Sequence, residues 1–552
     1  MTNAAIFLHP DAVDTQGPRL LGRHSAGESF LRGFLRHADV DRFHFYARGG
    51  SIEQLSALVD RIQPPPRPVS WIIANNIRGL AEVGVLNLPG PDLGNAAWTR
   101  RTYGNTAYSI CGLTHTTATA LVMDLLADYL IAPVEAHDAL ICTSTAVRDS
   151  VEAQLDGVRD YLQAEYGGAR RRPEPQRVTI PLGVNTEDFR TTSEQRKAWR
   201  ERLGIPEDAA VALYVGRFNV GEKMNPALMA IALEKAAEAT GQPIYWVNAG
   251  WAESEKDGAA YHQGARALCP SVHYIVVDGR PADVRFSIWS VADFFISFSD
   301  NIQETFGLTP VEAMAAGLPC VVTDWNGYRD TVRHGEDGFR IPTFAPAPGQ
   351  GLDLAYSFAN NWMSYPTYVG AASQLVAIDY AAATAAISTL VTDVDTRRRL
   401  GRQAQAHARA TFDWSAIIPQ YQALWAELSA RRRQTAAEPR NFDNPYRPDP
   451  FRLFGGYPTR HLGLDWEVGL PASFDAAAAQ ARLAGSLAQS NPVNRAAPKE
   501  QGALLQWLAD RPGATVIELV QMFPENRRSA IARGLLWLAR YDAIELRPPG
   551  AD

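Results

Sequence analysis

The sequence predicts an α/β protein built from two doubly wound domains, with a small, mostly helical addition near its C-terminal end. Three observations lead there. Short apolar runs that read as buried strands alternate with stretches whose apolar residues recur at helical spacing, as far as about residue 430. At 552 residues the chain is too long for one hydrophobic core and suits about three domains. Past residue 430 the composition shifts to connecting sequence rich in Arg, Pro, Gly and aromatics, before helical patterning resumes.

The first domain, 1–185, opens with the strand Ala5-Ile-Phe-Leu8. A turn-rich segment with Gly17-Pro18 and Gly22 follows, then a helix in which Phe30, Leu31, Phe34 and Leu35 share one face. Ser25-Ala26-Gly27-Glu28 stands near the start of that helix, where exposed N–H groups suit an anion. A lone glycine there equally serves to ease a turn. Tyr108-Ser-Ile-Cys-Gly-Leu-Thr-His115 reads as a strand ending in a histidine, a residue more often structural than catalytic when it stands alone. Ala139-Leu-Ile-Cys-Thr-Ser144 reads as a buried strand leading to Ser144 or Thr145 as the cap of a helix over 146–155. A second domain, 186–400, follows.

That domain starts with the apolar strand Ala209-Ala-Val-Ala-Leu-Tyr-Val-Gly-Arg217, which delivers Arg217 at its carboxyl end, with Lys223 ahead of a helix over 226–240. Ligands of open parallel sheets bind outside the carboxyl ends of the strands, so two cations there suit a diphosphate. Taken by themselves, they are equally an ordinary solvated surface. Tyr245-Trp-Val-Asn-Ala-Gly250, Val272-His-Tyr-Ile-Val-Val277 and Val291-Ala-Asp-Phe-Phe-Ile-Ser-Phe-Ser299 read as further strands, the last feeding Glu304. Asp278 and Asp293 read as loop and strand-edge residues.

The run Glu304-Thr-Phe-Gly-Leu-Thr-Pro-Val-Glu312 places paired carboxylates where a loop enters a helix. Thr309 reads as the helix cap and Pro310 as a first-turn residue, with Gly317 and Pro319 stopping the helix before the buried strand Cys320-Val-Val. Thr309-x-x-Glu312 also spells a capping box, in which Glu312 would only satisfy a backbone N–H.

The long stretch from Asp300-Asn-Ile-Gln-Glu304 through Gly338-Phe339 resembles the donor-binding signature of the retaining, GT-B-fold glycosyltransferases of family 4. Gly216-Arg217-Phe218 with Glu222-Lys223-Met224-Asn225-Pro226 is similar to that family's diphosphate motif, and the strand ending in His115 to one whose histidine lies near the donor sugar. The resemblance covers about residues 1–430: Val178-Thr-Ile-Pro-Leu-Gly-Val-Asn-Thr-Glu-Asp-Phe189 resembles the family's crossover between the two domains, and helices over 401–430 resemble those that close its fold and cross back to the first domain. It implies a GT-B enzyme moving a hexose from a nucleotide diphosphate-sugar to an acceptor hydroxyl with retention, and without a metal or other cofactor. In that reading Glu304 meets the sugar hydroxyls near the reacting carbon, and Glu312 holds the ribose. Backbone amides of Thr305, Phe306, Gly307 and Leu308 face sugar and phosphates, Arg217 and Lys223 hold the diphosphate, His115 lies by the sugar, and Gly27 faces the donor phosphates. The resemblance leaves donor sugar and acceptor open; a noncatalytic sugar-nucleotide regulator acting through the tail is the alternative.

Composition fits a globular enzyme: 46% of residues are hydrophobic, 20% charged, and the net charge is -7, which argues against a protein that coats nucleic acid. The four cysteines are too scattered for a disulfide framework or a zinc site. The N-terminal apolar run is too short for a signal peptide, and no uninterrupted apolar stretch would span a bilayer. The expectation is a cytoplasmic protein, with peripheral membrane attachment open. Residues 431–494 read as a linker and an aromatic extension whose Phe451, Phe454, Tyr457 and Trp466 should pack on the enzyme core. The order of elements over 495–552 resembles a winged helix. Arg527, Arg528 and Arg533 are offset there by Glu518, Glu525, Asp542 and Glu545, which favours a protein partner or self-association over DNA.

Overall fold

The computed structural model describes residues 3–13, 22–167, 172–491, 493–511 and 513–550, with backbone only at 22–24. The Gly17-Pro18 turn expected from the sequence lies outside the described residues. The chain divides into two compact units, Met1–Phe442 and Asp443–Asp552.

The first unit contains two wholly parallel sheets. One has seven strands: β1 (Ala5–Leu8), β2 (Phe43–Ala47), β3 (Val69–Ile73), β4 (Val85–Asn87), β5 (Ser109–Leu113), β6 (Ala139–Cys142) and β7 (Gln176–Thr179), in the order β3-β2-β1-β4-β5-β6-β7. The other has six: β8 (Ala210–Arg217), β9 (Ile244–Trp251), β10 (His273–Asp278), β11 (Phe294–Ser297), β12 (Cys320–Thr323) and β13 (Gly338–Ile341), in the order β10-β9-β8-β11-β12-β13. Both are Rossmann-like, as the alternation of patterns predicts. Each is buried on both faces by helices, so the strands read as nearly continuous apolar runs. Alternate residues serve opposite cores: Val211 and Leu213 join one, Ala212 and Tyr214 the other.

One strand begins later than the sequence suggests. Ile288–Val291 forms a 3-10 turn, and β11 starts only at Phe294. The cause is Asp293, whose carboxylate accepts the Val211 N–H at 2.8 Å and pairs with Arg196 and Arg200 at 2.7 and 2.9 Å. Its side chain takes the bond that a strand carbonyl would have taken.

The chain passes between the two parallel-sheet domains twice, at 180–186 and 412–414, and the passages are bonded to each other. Val184 N–H donates to Phe412 O at 2.8 Å, and Trp414 N–H to Val184 O at 3.2 Å. Asp413 accepts from the Thr186 hydroxyl at 2.6 Å. Helix Trp414–Gln434 then buries Trp414, Ile417, Tyr421 and Trp425 against Phe34 and Phe43 of the first domain. Gly33 and Gly183 make room for Trp414, since a Cβ on either would stand within 2.5 Å of the indole.

Between β13 and helix Tyr380–Thr392 the chain makes an excursion, residues 342–379. A two-stranded antiparallel pair, β14 (Thr343–Phe344) with β15 (Ala377–Ile378), closes its base, and helices Leu352–Ala359 and Tyr365–Ser373 form its body.

The second unit packs helices Pro498–Asp510, Val516–Gln521 and Glu525–Arg540 with a three-stranded antiparallel sheet of β16 (Glu467–Gly469), β17 (Ala514–Thr515) and β18 (Glu545–Arg547), with β16 in the centre. The aromatic extension departs from expectation. Trp466 packs on this unit's own core, but Phe451, Phe454 and Tyr457 are exposed, because the short helix at this point, Pro450–Leu453, has too few residues to bury a face. All four cysteines are buried free thiols, and burial pushes Cys111 and Cys142 up to about 12, which leaves them unreactive. Among the described residues no helix is long and apolar enough to cross a membrane.

Candidate functional site

The order of the six-stranded sheet reverses between β8 and β11, which opens a crevice beyond their carboxyl ends. Arg217 ends β8 there. After it the buried side chains of Phe218 and Met224 pin a tight turn that Asn219 organises: its carbonyl accepts the N–H groups of Lys223 and Met224, both at 3.1 Å, and its amide oxygen that of Glu222 at 2.8 Å. The turn projects Lys223 to Glu304, with Nζ to Oε2 at 2.7 Å. Arg217 is held by Glu222 at 3.1 Å and Glu253 at 3.7 Å.

Glu304 follows β11 on a loop fixed by buried polar groups. Asn301, fully buried, donates to Gly221 O at 2.6 Å and accepts from Gln303 N–H at 2.9 Å, while its carbonyl takes the Trp325 indole N–H at 3.0 Å. Asn326 donates to Glu304 O. Burial on its own would raise the Glu304 carboxyl, but the attraction and hydrogen bond of Lys223 outweigh it and hold the group below the usual carboxylate range. Among the described residues, neighbouring Asp300 has no such cation. Burial pushes it up to about 7 despite a bond from the Asn225 N–H.

Glu312 lies inside helix Leu308–Ala315, and the cap of that helix differs from the expected one. The N-cap is Gly307, at φ 91°, and no side chain caps the helix; Thr309 sits within the first turn. A left-handed residue starts the helix earlier than a threonine cap would, so Glu312 is beyond the reach of a capping box. Only glycine fits at 307, because a Cβ would stand 2.2 Å from the Tyr328 ring. No side chain therefore takes up the first-turn N–H groups. At the other end Gly317, at φ 86°, stops the helix as expected. Burial lifts the Glu312 carboxyl to about 7, with Arg285 and Lys223 pulling the other way.

The first domain contributes the opposite wall. His115 follows β5, and its carbonyl accepts the Thr305 hydroxyl at 3.2 Å. Ser144, the N-cap of helix Thr145–Tyr166, donates its hydroxyl to Thr305 O at 2.7 Å. Thr305 is thus gripped by two loops of the other sheet, which sets Glu304 and His115 against one crevice. The backbone at 305–308 is shared among several tasks. Thr305 N–H bonds to its own neighbour Glu304 at 3.3 Å, the Phe306 side chain is core, and Gly307 and Leu308 open the helix.

Gly27 belongs to a helix of the first domain. Helix Gly22–His37 begins before it, so Gly27 lies more than a turn inside the helix rather than on the loop expected there. A Cβ at 27 would stand 2.0 Å from Ala12 O, and glycine there permits close packing against helix Pro10–Val13. Sequence reasoning passed over Asp300 and Asn301, although both stand in the stretch that carries the resemblance.

A cation pair and an uncapped helix N-terminus at the switch point of a parallel sheet define an α/β domain suited to a nucleotide or another anionic ligand. Residues 195–347 match the family model described as glycosyl transferases group 1. D-inositol 3-phosphate glycosyltransferase of Streptomyces scabiei is 31% identical over 37% of this chain and 47% of its own length. The protein of the same name from Corynebacterium efficiens is 26% identical over 53% of this chain and 56% of its own. The chain spans about half the length of the curated relatives it matches. HepE of Anabaena, solved in complex with UDP, is similar with a TM-score of 0.49 at 16% identity, over 77% of this chain and 100% of that one.

Proposed function

We propose that this chain is a glycosyltransferase that moves a sugar from a nucleoside diphosphate donor to an acceptor hydroxyl with retention, by the family 4 route and without a metal ion. The observation that carries the reading is the meeting of the Lys223–Glu304 pair with the Thr305–His115 contact at the β8/β11 crevice. The diphosphate lies against Arg217, Lys223 and the open N–H groups of helix Leu308–Ala315. Both cations are already oriented by carboxylates, so little reorganisation accompanies the growth of negative charge on the leaving group. Glu312, with no side-chain hydrogen bond among the described residues, accepts from the ribose hydroxyls. Glu304 accepts from sugar hydroxyls beside the reacting carbon, and His115 flanks the sugar from the first domain.

In the transfer step the bond from sugar C1 to the diphosphate oxygen breaks, and a bond from C1 to the acceptor oxygen forms on the same face. The acceptor proton passes to the departing diphosphate, so no protein nucleophile is required. The C-terminal unit is read as a winged-helix-like module for a protein partner or self-association. The test is a panel of UDP-, GDP- and TDP-sugars assayed for nucleoside diphosphate release with and without chelator, and NMR of the product anomer. Turnover that survives chelation and gives a retained anomer supports the reading; no turnover of any donor, a chelator-sensitive rate or an inverted product refutes it or the corresponding part.

A further inference from the structure

Residues 444–464, near the start of the second unit, carry an apolar surface that the unit's core does not take up. Phe451 and Tyr457 are 71% and 83% exposed, and Leu453, Phe454 and Leu464 are exposed as well. They stand on a built turn. Asp449 caps helix Pro450–Leu453 through the Phe451 N–H at 2.9 Å, and Phe454 N–H donates to Pro450 O at 2.9 Å. Tyr457 N–H donates to Phe454 O at 3.0 Å, and His461 Nε2 closes the loop by donating to Gly455 O at 2.8 Å. The Phe454 and Tyr457 rings rest against each other, with centroids 5.1 Å apart.

Cations are interleaved with these side chains. Arg447, Arg452 and Arg460 are all exposed, against one aspartate, Asp449, in the same stretch, and among the described residues Arg452 and Arg460 form no ion pair. The whole chain carries a net charge of -7, so the segment is positive and apolar on a negative protein. Arginines alternating with aromatics leave no charge-poor centre of the kind a protein interface needs. A second copy would set like charges against each other. Leu453 and Leu464 offer a nucleic-acid base nothing to stack on, and three arginines make few phosphate contacts. An anionic bilayer surface accepts both kinds at once: aromatic and leucine side chains enter the headgroup boundary while guanidinium groups stay at the level of the lipid phosphates.

We propose that residues 444–464 dock the protein on a membrane surface rich in anionic phospholipid, with Phe451, Phe454 and Tyr457 in the headgroup boundary and Arg447, Arg452 and Arg460 on the lipid phosphates. The contact is peripheral and reversible, since a few aromatic side chains insert far less apolar area than a spanning helix. It does not depend on the transferase reading, and it stands whether or not a donor is turned over.

The experiment sediments the full chain with vesicles of phosphatidylcholine alone, or of two parts phosphatidylcholine to one of phosphatidylglycerol, at about 50 and about 500 mM salt. Wild type should bind the mixed vesicles at low salt and lose most of that binding at high salt or on the neutral vesicles. Arg447→Gln and Arg452→Gln should each weaken it about fivefold. Phe451→Ser combined with Tyr457→Ser should weaken it about tenfold or more. Melting temperature should not change in any of these variants, because all four side chains are exposed. No binding to the mixed vesicles, equal binding to both kinds, or variants that melt normally and bind like wild type overturns the inference. So does a wild-type dimer, seen by light scattering without lipid, that the Phe451 and Tyr457 changes dissociate, which would make the surface an interface between copies. Arg452→Gln alone decides the question should the aromatic variant fold poorly.

Discussion

Replacing Lys223 with alanine strands Glu304. The pair is 2.7 Å apart, with side chains 24% and 13% exposed, so it lies between two known limits. Exposed pairs are worth about 0–1 kcal/mol, whereas deleting one partner of a fully buried pair costs about 3–5 kcal/mol. An intermediate loss of about 2 kcal/mol of stability follows for Lys223→Ala. In the wild type Glu304 titrates below its unfolded value, so its contribution is fully present above that value and is lost as pH falls through the folded pKa. Without Lys223 burial dominates, the folded pKa rises above the unfolded one, and the variant becomes less stable as pH increases. Turnover should fall further than stability, by about 30- to 900-fold, corresponding to about 2–4 kcal/mol of lost charge stabilisation in the transition state. Melting curves from pH 4 to 8 and donor turnover on the same samples give both numbers. The double variant Lys223→Met with Glu304→Leu separates stability from chemistry, since an apolar pair of similar size restores folding but not the charge. Wild-type turnover in folded Lys223→Ala, or turnover that returns in the double variant, would refute the reasoning.

Glu312→Gln should weaken nucleoside diphosphate binding, and the wild-type affinity should rise from pH 6 to 8 as a carboxyl lifted to about 7 ionises to accept the ribose hydroxyls; calorimetric titration should show the slope vanish in the variant. Glu312 and Asp300 both hold protons more tightly when folded, so together they make the ligand-free protein lose stability as pH rises from their unfolded values, 4.5 and 3.8, toward 7, a trend that Asp300→Asn should reduce in thermal melts. Gly307→Ala forces a side chain into a left-handed residue and against Tyr328, and should cost about 3 kcal/mol in chemical denaturation together with most of the turnover. Ending the chain at Phe442 should leave donor hydrolysis and the melting of the first unit intact, as judged by rate and calorimetry, because the second unit has its own core.

Much of this was legible in the chain because parallel strands buried on both faces announce themselves. The run over 209–217 could hardly be anything but a central strand, and its end placed Arg217. Glycine punctuation was readable where a single residue decides the outcome, as at Gly317. It failed at Gly307, where a threonine two places on offered a stronger local cap and only the Tyr328 ring, far along the chain, demands a glycine. The same distance effect hid the strand β16, whose pairing partners lie on either side of it in a sheet assembled from far-separated segments. Glu304 and Lys223 were found as types and spacings, but the ion pair that sets the charge of Glu304 exists only once two loops fold against each other.

The two bonded passages at 184 and 413 limit how the crevice can move. A single connecting segment would let one domain swivel, tilt and slide relative to the other. Two segments held side by side, by main-chain bonds and by the Thr186–Asp413 contact, behave as a short ribbon, stiff to torsion and compliant mainly in bending. With Trp414 wedged against Gly33 and Gly183, the ribbon is anchored on the first domain. Bending of that ribbon is a jaw-like opening, along which the grips on Thr305 from His115 and Ser144 release and re-form together.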